Sequence, residues 1–385
     1  MSSVLLDPRV LDASSLQPRV ANPIYLPIGI EGEADAAGTA VVGTLYAISR
    51  VDDAVAVFGA AGTLMTDLIT EILNQGAGPV VAVASAKGVA PTLVERQTAW
   101  ASLESDENVR LRLTDSTTQA DLVALAESAK NANLLFNKQV AIVGMPHGTD
   151  KATLITAATA IAGGDPNDVD AATRAVLVAP GVYDSSGTLR DGNFTAAAVA
   201  AEIAKNADPS NDLDLWPIPF LTGVELDTNG LPLFRRKVVA GAAVDDYEDL
   251  LQAGISPLQP TQIAGGVMTT HLRTLFTTNG TYDSLFTRII VDQVFLDVKS
   301  YILSGNFLRM GNTDGTRARI ASGVAAVLNE RSSWISPITQ GDGSTGYAVT
   351  VTASADQRQV TVGYQGTVIR GISTVQVAAN LTIPV

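Results

Sequence analysis

A strict alternation of apolar and polar or small residues marks the last twelve residues of the sequence, TVQVAANLTIPV (374–385). Its apolar positions are Val375, Val377, Ala379, Leu381 and Ile383. Alternation with a period of two is typical of a β-strand that has one buried face. Because terminal segments fray unless another element pairs with them, the pattern predicts a strand that is held in place by a partner.

Apolar runs alternate with helical periodicity over the first half of the chain. Buried strands are predicted for four short apolar segments, 38–46, 79–86, 139–146 and 174–181. Amphipathic stretches between them predict helices, as in 62–78, where Leu64, Leu68 and Leu73 share one stripe. The segment 216–226, WPIPFLTGVEL, has too many prolines for a central strand. This alternation predicts an α/β domain built around a central sheet.

The pattern changes at residue 244. A helix with an acidic first turn is predicted to begin there and to end at Gly254. The segments that follow predict a strand at 265–276, the longest helix at 282–305 and another helix at 314–334. In that last helix Ile320, Val324 and Leu328 form the apolar stripe. Two alternating strands, 347–353 and 358–364, then precede the terminal one.

Length and composition are those of an ordinary globular chain. The 385 residues exceed one ordinary core and predict two or three domains. Apolar runs free of charge do not reach the length that crosses a bilayer, and MSSVLLDPRV lacks the basic head and apolar middle of a signal peptide. We therefore expect no membrane insertion, and synthesis in a cytoplasm.

The charge argues against nucleic acid as a partner, because the formal net charge is −14. It is also unevenly distributed. Residues 285–385 hold eight basic and six acidic side chains, a net +2, so that the remainder carries −16. Two explanations stay open: chance, and two halves that face different partners.

Residues suited to catalysis or metal binding are sparse. The chain has no cysteine, and its two histidines, His147 and His271, lie far apart in sequence, which favours loop or core-edge positions over metal ligation. GDGSTG (341–346) matches the dinucleotide fingerprint by letter but precedes a strand, which indicates a turn. DDYED (245–249) indicates a solvated helix start. We predict no enzyme, no cofactor and no metal site.

Several segments together resemble the contractile tail sheath proteins, which form the outer sleeve of contractile phage tails and related injection machines. The first and longest resembles the family's succession of strand, helix and strand. The segments in chain order are VVGTLYAISRVDDAVAVFGAAGTLMTDLITEILNQGAGPVVAVA (41–84), LVAPG (177–181), LLQAGISPLQP (250–260), LRTLFT (272–277) and TRIIVDQVFLDVKSYI (287–302). Together with the ending of helix and strands, they are distributed along most of the chain, in the order typical of the family.

The resemblance implies a multidomain α+β and α/β fold, with an outer α/β domain inserted into an inner C-terminal α+β domain. The small sheet of that inner domain would be completed by strands from neighbouring subunits, by β-augmentation. The corresponding ranges are 1–23 for an N-terminal arm that includes Val4, Leu5 and Leu6, 24–243 for the outer domain, 244–373 for the inner domain and 374–385 for the exchanged strand.

The resemblance also implies a function. The chain would be a virion structural protein that forms a helical homopolymer of stacked rings around a tail tube and contracts to drive the tube through a target envelope. Its partners would be other copies of itself, the tail tube protein, and the baseplate and tail terminator proteins. It would reside in a virion tail assembled in the bacterial cytoplasm and take part in genome ejection. Phage, tailocin and other injection systems stay open, as do subunit number per ring and contraction state.

Two alternatives remain beside the sheath. One is another self-assembling structural protein, a tail tube or surface-layer subunit, although tube proteins tend to be smaller and mostly β. The other is an α/β enzyme without a recognisable motif. Electron microscopy of the purified chain distinguishes these, because sheaths form wide, ridged sleeves and an enzyme forms a small, uniform oligomer.

Three arginines are candidates for contact with the tube. In resembling proteins the C-terminal part forms the inner wall, and here that part has no negative excess. Because the apolar stripe of the helix 314–334 is occupied by core residues, Arg317, Arg319 and Arg331 are predicted to project from it. Ordinary solvated arginines are the alternative explanation.

Overall fold

The computed structural model divides the chain into two compact units. The structure describes residues 26–60, 62–164, 169–206, 208–209, 213–235, 245–261, 266–277, 283–305, 307, 311–340, 344–354, 359–370 and 373–384. Of these, the large unit contains the residues up to 288 except 208 and 209, and the small unit contains 208, 209 and the residues from 289 onward.

The large unit is built on a nine-stranded mixed sheet. Its strands and short hairpin strands are β1 (Ile28–Ala34), β2 (Leu45–Ile48), β3 (Val80–Lys87), β4 (Leu111–Thr114), β5 (Val140–Gly144), β6 (Ala175–Ala179), β7 (Val182–Tyr183), β8 (Leu189–Arg190), β9 (Pro217–Ile218), β10 (Gly223–Val224), β11 (Ile255–Pro260) and β12 (Val267–Thr269). The order in the sheet is β2-β3-β1-β4-β5-β6-β11-β12-β9, and β7, β8 and β10 form a separate small sheet. The strands from β3 through β11 in that order are parallel, and the outer ones pair antiparallel.

Helices connect the parallel strands, as the sequence pattern predicts for an α/β domain. They are α1 (Val51–Phe58), α2 (Leu64–Asn74), α3 (Leu93–Glu104), α4 (Gln119–Leu134), α5 (Lys151–Ile161), α6 (Val169–Ala172), α7 (Gly192–Lys205) and α8 (Asp246–Gln252). Helix α7 is buried along nearly its whole length. A Cβ on Gly144 of β5 would lie 2.0 Å from the carbonyl oxygen of Gly192, so the absence of side chains at both glycines lets helix and sheet approach closely.

The first strands differ from the sequence prediction. The predicted strand 38–46 is mostly a turn, with Gly43 at φ 77°, and β2 begins only at Leu45. Val41 and Val42 are exposed, at 61% and 51% of their surface. The central strand β1 was not predicted, because its sequence IGIEGEA carries two glutamates. Glu31 can nevertheless be fully buried there, since Arg96 and other donors surround it.

The segment after residue 244 also differs. Of the described residues 266–276 in the predicted strand 265–276, only Val267–Thr269 is a strand. The predicted domain boundary at 243/244 does not coincide with the division of the compact units at 288/289. The reason is that β11 pairs with β6 in parallel and β12 pairs with β11, which places residues 255–269 in the large sheet. In the proline-rich segment, Pro217–Ile218 forms the edge strand β9, which agrees with the prediction that this segment is not a central strand.

The small unit combines long helices with a small antiparallel sheet. Its elements are α9 (Leu285–Ser304, from Ile289 onward in this unit), α10 (Asp314–Glu330), β13 (Ile335–Ser336), β14 (Ile338–Thr339), β15 (Thr345–Gly346), β16 (Ala348–Ala353), β17 (Gln359–Arg370) and β18 (Ser373–Pro384). Ile320, Val324 and Leu328 are the buried residues of α10, as predicted. The three predicted alternating strands correspond to β16, β17 and β18.

Candidate assembly surfaces

Strand β17 is the centre of the small sheet. One of its edges pairs with β16 through residues 360–365 and with β13 through residues 367 and 368. Its other edge pairs with β18 over all twelve residues, from Gln359↔Pro384 to Arg370↔Ser373. The sheet therefore has β18 along one side, and β16 and β13 in succession along the other.

The side of β17 that faces the core is apolar. Val360, Val362, Tyr364 and Val368 are all at most 3% exposed. At Gly366 a Cβ would lie 2.5 Å from the side chain of Ile335. A side chain at that position would displace Ile335 from the core, so glycine there lets β13 pack against β17. This buried face determines the register of any strand that pairs with β17.

The register of β18 agrees with the predicted apolar face. The Cα partners are Val375↔Val368, Val377↔Gly366, Ala379↔Tyr364, Leu381↔Val362 and Ile383↔Val360. Every predicted apolar position thus lies opposite a core-facing position of β17, and residues directly opposite each other in an antiparallel pair share a face. The prediction of a terminal strand is confirmed. In the single chain it pairs with its own β17, and its donation to a neighbouring subunit stays a prediction.

Within the described ranges, two edges of this sheet are open, because β18 pairs with β17 alone and so does β16. An edge strand presents a row of backbone N–H and C=O groups that can pair with another chain. The longer of the two edges belongs to β18, with twelve residues. The sheet can therefore accept an added strand on each side.

Arg331 does not project from its helix, contrary to the prediction. Helix α10 ends at Glu330, and Arg331 is the C-cap residue. Its side chain turns inward, where Nε donates to Asp297 Oδ2 at 2.6 Å and the guanidinium lies 4.5 Å from the ring centroid of Trp334. The residue is 9% exposed. Arg331 is therefore a core contact of the small unit, and we leave it out of the candidate tube-facing set.

The other two arginines remain accessible. Arg317 is half-buried; it donates to Asn312 Oδ1 at 2.6 Å and pairs with the exposed Asp314 one turn away. Arg319 is exposed, and its guanidinium lies 6.0 Å from the ring centroid of Phe307. Both lie in the first half of α10. Their contact with a tube stays a prediction, and Val4, Leu5 and Leu6 of the predicted arm lie outside the described residues.

The residues considered for catalysis or metal binding take structural positions. His147 Nδ1 lies 2.5 Å from Asp191 Oδ1, and His271 Nδ1 lies 2.7 Å from Asp214 Oδ2. Asp245 caps α8 by accepting from the backbone N–H of Glu248. Within the described ranges, no cluster of three or more histidine and carboxylate residues could hold a metal ion, and no helix has both the length and the apolarity needed to cross a membrane.

Comparison with solved structures identifies the fold. The chain is similar to a sheath tail protein from Desulfitobacterium hafniense (TM-score 0.65, 12% identity, 95% of this chain and 98% of that one). It is also similar to a sheath tail protein from Listeria innocua (TM-score 0.63, 11% identity, 93% and 96%). A third similar structure is the contracted helical sheath of the anti-feeding prophage (TM-score 0.57, 10% identity, 95% and 93%).

The class that these neighbours define is the fold of contractile tail sheath proteins. The coverage shows that nearly the whole chain takes part, and the resemblance inferred from the sequence segments is confirmed at the level of the fold. No family model matches the chain, and no curated protein sequence matches it.

Proposed function

We propose that this chain is the structural subunit of a contractile sheath, which polymerises as a helical sleeve around a tube and contracts to drive that tube through an envelope. The observation that carries the proposal is the fold shared with sheath proteins over nearly the full length of both chains. The open edges of β16 and β18 support it, because a polymer needs surfaces that pair with further copies. In this role the chain is a structural protein and catalyses no reaction.

The proposed partners follow from the same role. They are other copies of the chain, a tube protein, and baseplate and terminator proteins in a virion tail or a related injection device. One of the similar structures is the baseplate of the anti-feeding prophage, which supports a baseplate contact. The proposed arrangement keeps the C-terminal region inside, against the tube, and the α/β region outside.

Strand exchange is the proposed link between subunits. In the polymer, β18 of one copy would pair with β17 of a neighbour in the register it has in the single chain, and the N-terminal arm would add to an open edge. The backbone hydrogen bonds are the same in both arrangements, so exchange has a low free-energy cost beyond opening the connection between β17 and β18. The exchanged strands then act as hinges while the subunits change their packing.

Contraction is proposed to be driven by packing. An extended sleeve in a higher-energy packing releases free energy when it shortens into a tighter one. If each subunit buried about 400 Å² more apolar surface, the gross gain would be about 10 kcal/mol per subunit, before ordering costs. Summed over many subunits, this free energy suffices without nucleotide hydrolysis.

A pair of engineered cysteines tests both the polymer and the exchange. The chain has no cysteine, so a disulfide between Gln365→Cys and Ala378→Cys, which lie opposite each other in β17 and β18, reports one pairing. Cα atoms opposite each other in a sheet are close enough for a disulfide. We expect electron microscopy to show ridged sleeves, and oxidised sleeves to run as covalent multimers on a non-reducing gel.

The control replaces the second cysteine by Thr374→Cys, which pairs opposite Ile369 and lies about 13 Å along the strand from the first position. It should give sleeves without covalent multimers. Sleeves that yield only internally linked monomers would disprove the exchange while leaving the sheath role intact. A purified chain that forms no sleeve under any assembly condition, and stays a small uniform oligomer, would contradict the sheath role.

A further inference from the structure

A cluster of buried charged groups lies beside the central strand of the large sheet. Strand β1 has β3 on one side and β4 on the other. Glu31, in the middle of β1, is 0% exposed. Nothing in the sheath role described above requires a carboxyl group at this place.

Hydrogen-bond donors from three elements converge on Glu31. On β3, Ser85 Oγ donates to Oε1 at 2.5 Å. On α3, Arg96 Nη1 donates to Oε1 at 2.8 Å and Trp100 Nε1 donates to Oε2 at 3.0 Å. On β4, Thr114 Oγ1 donates to Oε2 at 2.8 Å. The carboxyl group is thus fully enclosed by the protein.

The guanidinium of Arg96 contacts three carboxylates in this cluster. Arg96 Nη1 contacts both Glu31 Oε1 at 2.8 Å and Asp115 Oδ1 at 2.6 Å, and Arg96 Nε lies 3.2 Å from Asp121 Oδ2. If all three acids are ionised, the cluster carries two uncompensated negative charges in a desolvated site. Two carboxylates that share one site raise the pKa of one of them.

Of the other charged groups around β1, Arg112 offsets part of the negative charge. It lies on β4 and is fully buried; its guanidinium donates to Gln139 and Ser128, and its charge also interacts with that of Glu31. On α2, Asp67 pairs with Arg190 and Glu71 accepts from Gln75. On α7, Glu202 pairs with Lys205. The acids of α1, Asp52 and Asp53, are exposed.

The geometry provides a place for a proton on Glu31. Ser85 Oγ lies 2.5 Å from Glu31 Oε1 and 3.1 Å from the carbonyl oxygen of Gly32. If Glu31 is protonated at Oε1, it can donate to Ser85 Oγ, whose hydroxyl hydrogen then turns to the Gly32 carbonyl. Trp100 and Thr114 keep their bonds to Oε2. Each of these polar groups therefore keeps a hydrogen-bond partner whether Glu31 is protonated or ionised.

A cavity links the cluster to water. It has a volume of about 240 Å³, and its lining includes Arg96, Asp115, Glu33 and Asp35. A polar cavity of that size holds several water molecules. Two members of the cluster, Arg96 and Asp115, therefore lie against this water, whereas Glu31 and Ser85 lie behind them.

We propose that this cluster is a proton-binding site, in which the folded large unit takes up one proton between Glu31 and Ser85. The ligand is a proton, and the consequence is a stability that falls as pH rises towards neutrality. The proposal does not depend on the sheath role.

The direction of the pH dependence follows from the two states of Glu31. Burial, and after it the charge of Asp115, raise the pKa of Glu31 from 4.5 to about 7. Below pH 4.5 the group is protonated in the folded and the unfolded chain, and folding is not penalised. As pH rises towards 7 the unfolded chain releases the proton first, so the unfolding equilibrium constant rises by up to about tenfold per pH unit.

The test is a carboxyl titration of the full chain labelled with ¹³C at glutamate Cδ and followed by NMR. We expect one resonance with a midpoint near pH 7, absent in Glu31→Gln and present in Glu225→Gln. Glu225 is the matched control, because it is buried in the same unit and accepts from the backbone N–H groups of Gly148 and Gly181. Asp115→Asn should lower the midpoint by about one pH unit or more, since it removes the neighbouring charge.

Two results would overturn the proposal. One is a wild-type chain in which no glutamate resonance titrates above pH 6. The other is a high-midpoint resonance that persists in Glu31→Gln, which would assign it to another buried acid such as Glu71, whose pKa burial also raises. If Glu31→Gln does not fold, the wild-type titration and the Asp115→Asn shift decide the question, and an unshifted midpoint in Asp115→Asn counts against the site.

Discussion

At the scale of single residues, the two arginines at the beginning and end of α10 show how a partner decides whether a charge is buried. Arg331 has Asp297 at 2.6 Å and Trp334 below its guanidinium, so its charge is compensated inside the unit. Trp334 in turn donates from Nε1 to Asp208 Oδ1 at 3.0 Å. The guanidinium of Arg319 lies 6.0 Å from the ring centroid of Phe307 and stays exposed.

Arg331→Ala should therefore destabilise the small unit. The change removes a buried partner of Asp297 and the stacking on Trp334, and we expect the free energy of unfolding to fall by about 2 kcal/mol. Arg319→Ala, on the same helix, should change it by less than about 0.5 kcal/mol. Urea denaturation of the full chain measures both. Equal effects of the two substitutions would show that Arg331 has no structural role beyond that of a surface arginine.

At the scale of elements, the hairpin of β17 and β18 is the part of the chain that we propose links subunits. Strand β17 provides the core-facing residues, and β18 provides a twelve-residue open edge. Any strand can form the same backbone hydrogen bonds. A strand from another copy can therefore replace β18 beside β17, or it can pair with the open edge of β18. The small sheet is therefore the element through which the proposed polymer forms.

Val377→Asp tests the face of β18 on which we propose that assembly depends. Val377 lies opposite Gly366, a buried position of β17, and a charge without a partner in an apolar site is strongly unfavourable. We expect the variant to form no sleeves, or only short ones, in electron micrographs. Gln376→Asp is the matched control, because Gln376 pairs with Thr367 on the alternate face and should leave sleeve length unchanged. Sleeves of normal length from Val377→Asp would contradict the register.

At the scale of the whole molecule, the net charge differs between two parts of the chain. Residues 285–385 carry a net +2 and the rest carries −16. An acidic tube surface would attract the first part and repel the second, although each exposed contact contributes only about 0 to 1 kcal/mol. Weak contacts suit a sheath that has to release its tube when it widens.

The double substitution Arg317→Glu and Arg319→Glu tests this charge distribution. It should leave tube-free sleeves unchanged and impair assembly of sheath around tube, more severely at low salt because screening is weaker. Co-assembly with the tube protein, followed by electron microscopy at two salt concentrations, measures the effect. Normal co-assembly at both concentrations would remove these arginines from the tube contact without affecting the sheath role.

Periodicity and composition were sufficient for most elements of this chain. The alternation in β16 and β18, the apolar stripe of α10 and the α/β succession follow from local rules, since each depends on which residues of a single segment face a core. The position of the edge strand β9 was predictable for a similar reason, because proline cannot donate to a ladder at the centre of a sheet.

Tertiary structure alone decided the rest, because those features depend on residues distant in sequence. Glu31 lies in a central strand only because Arg96, Trp100 and Thr114 converge on it, and no local pattern predicts such an enclosure. The large unit extends to residue 288 because β11 pairs with β6. These two strands are parallel and about 75 residues apart, and a local sequence pattern does not predict a pairing across so long a connection. The sequence determined which faces are apolar, and the tertiary structure decided which of them meet.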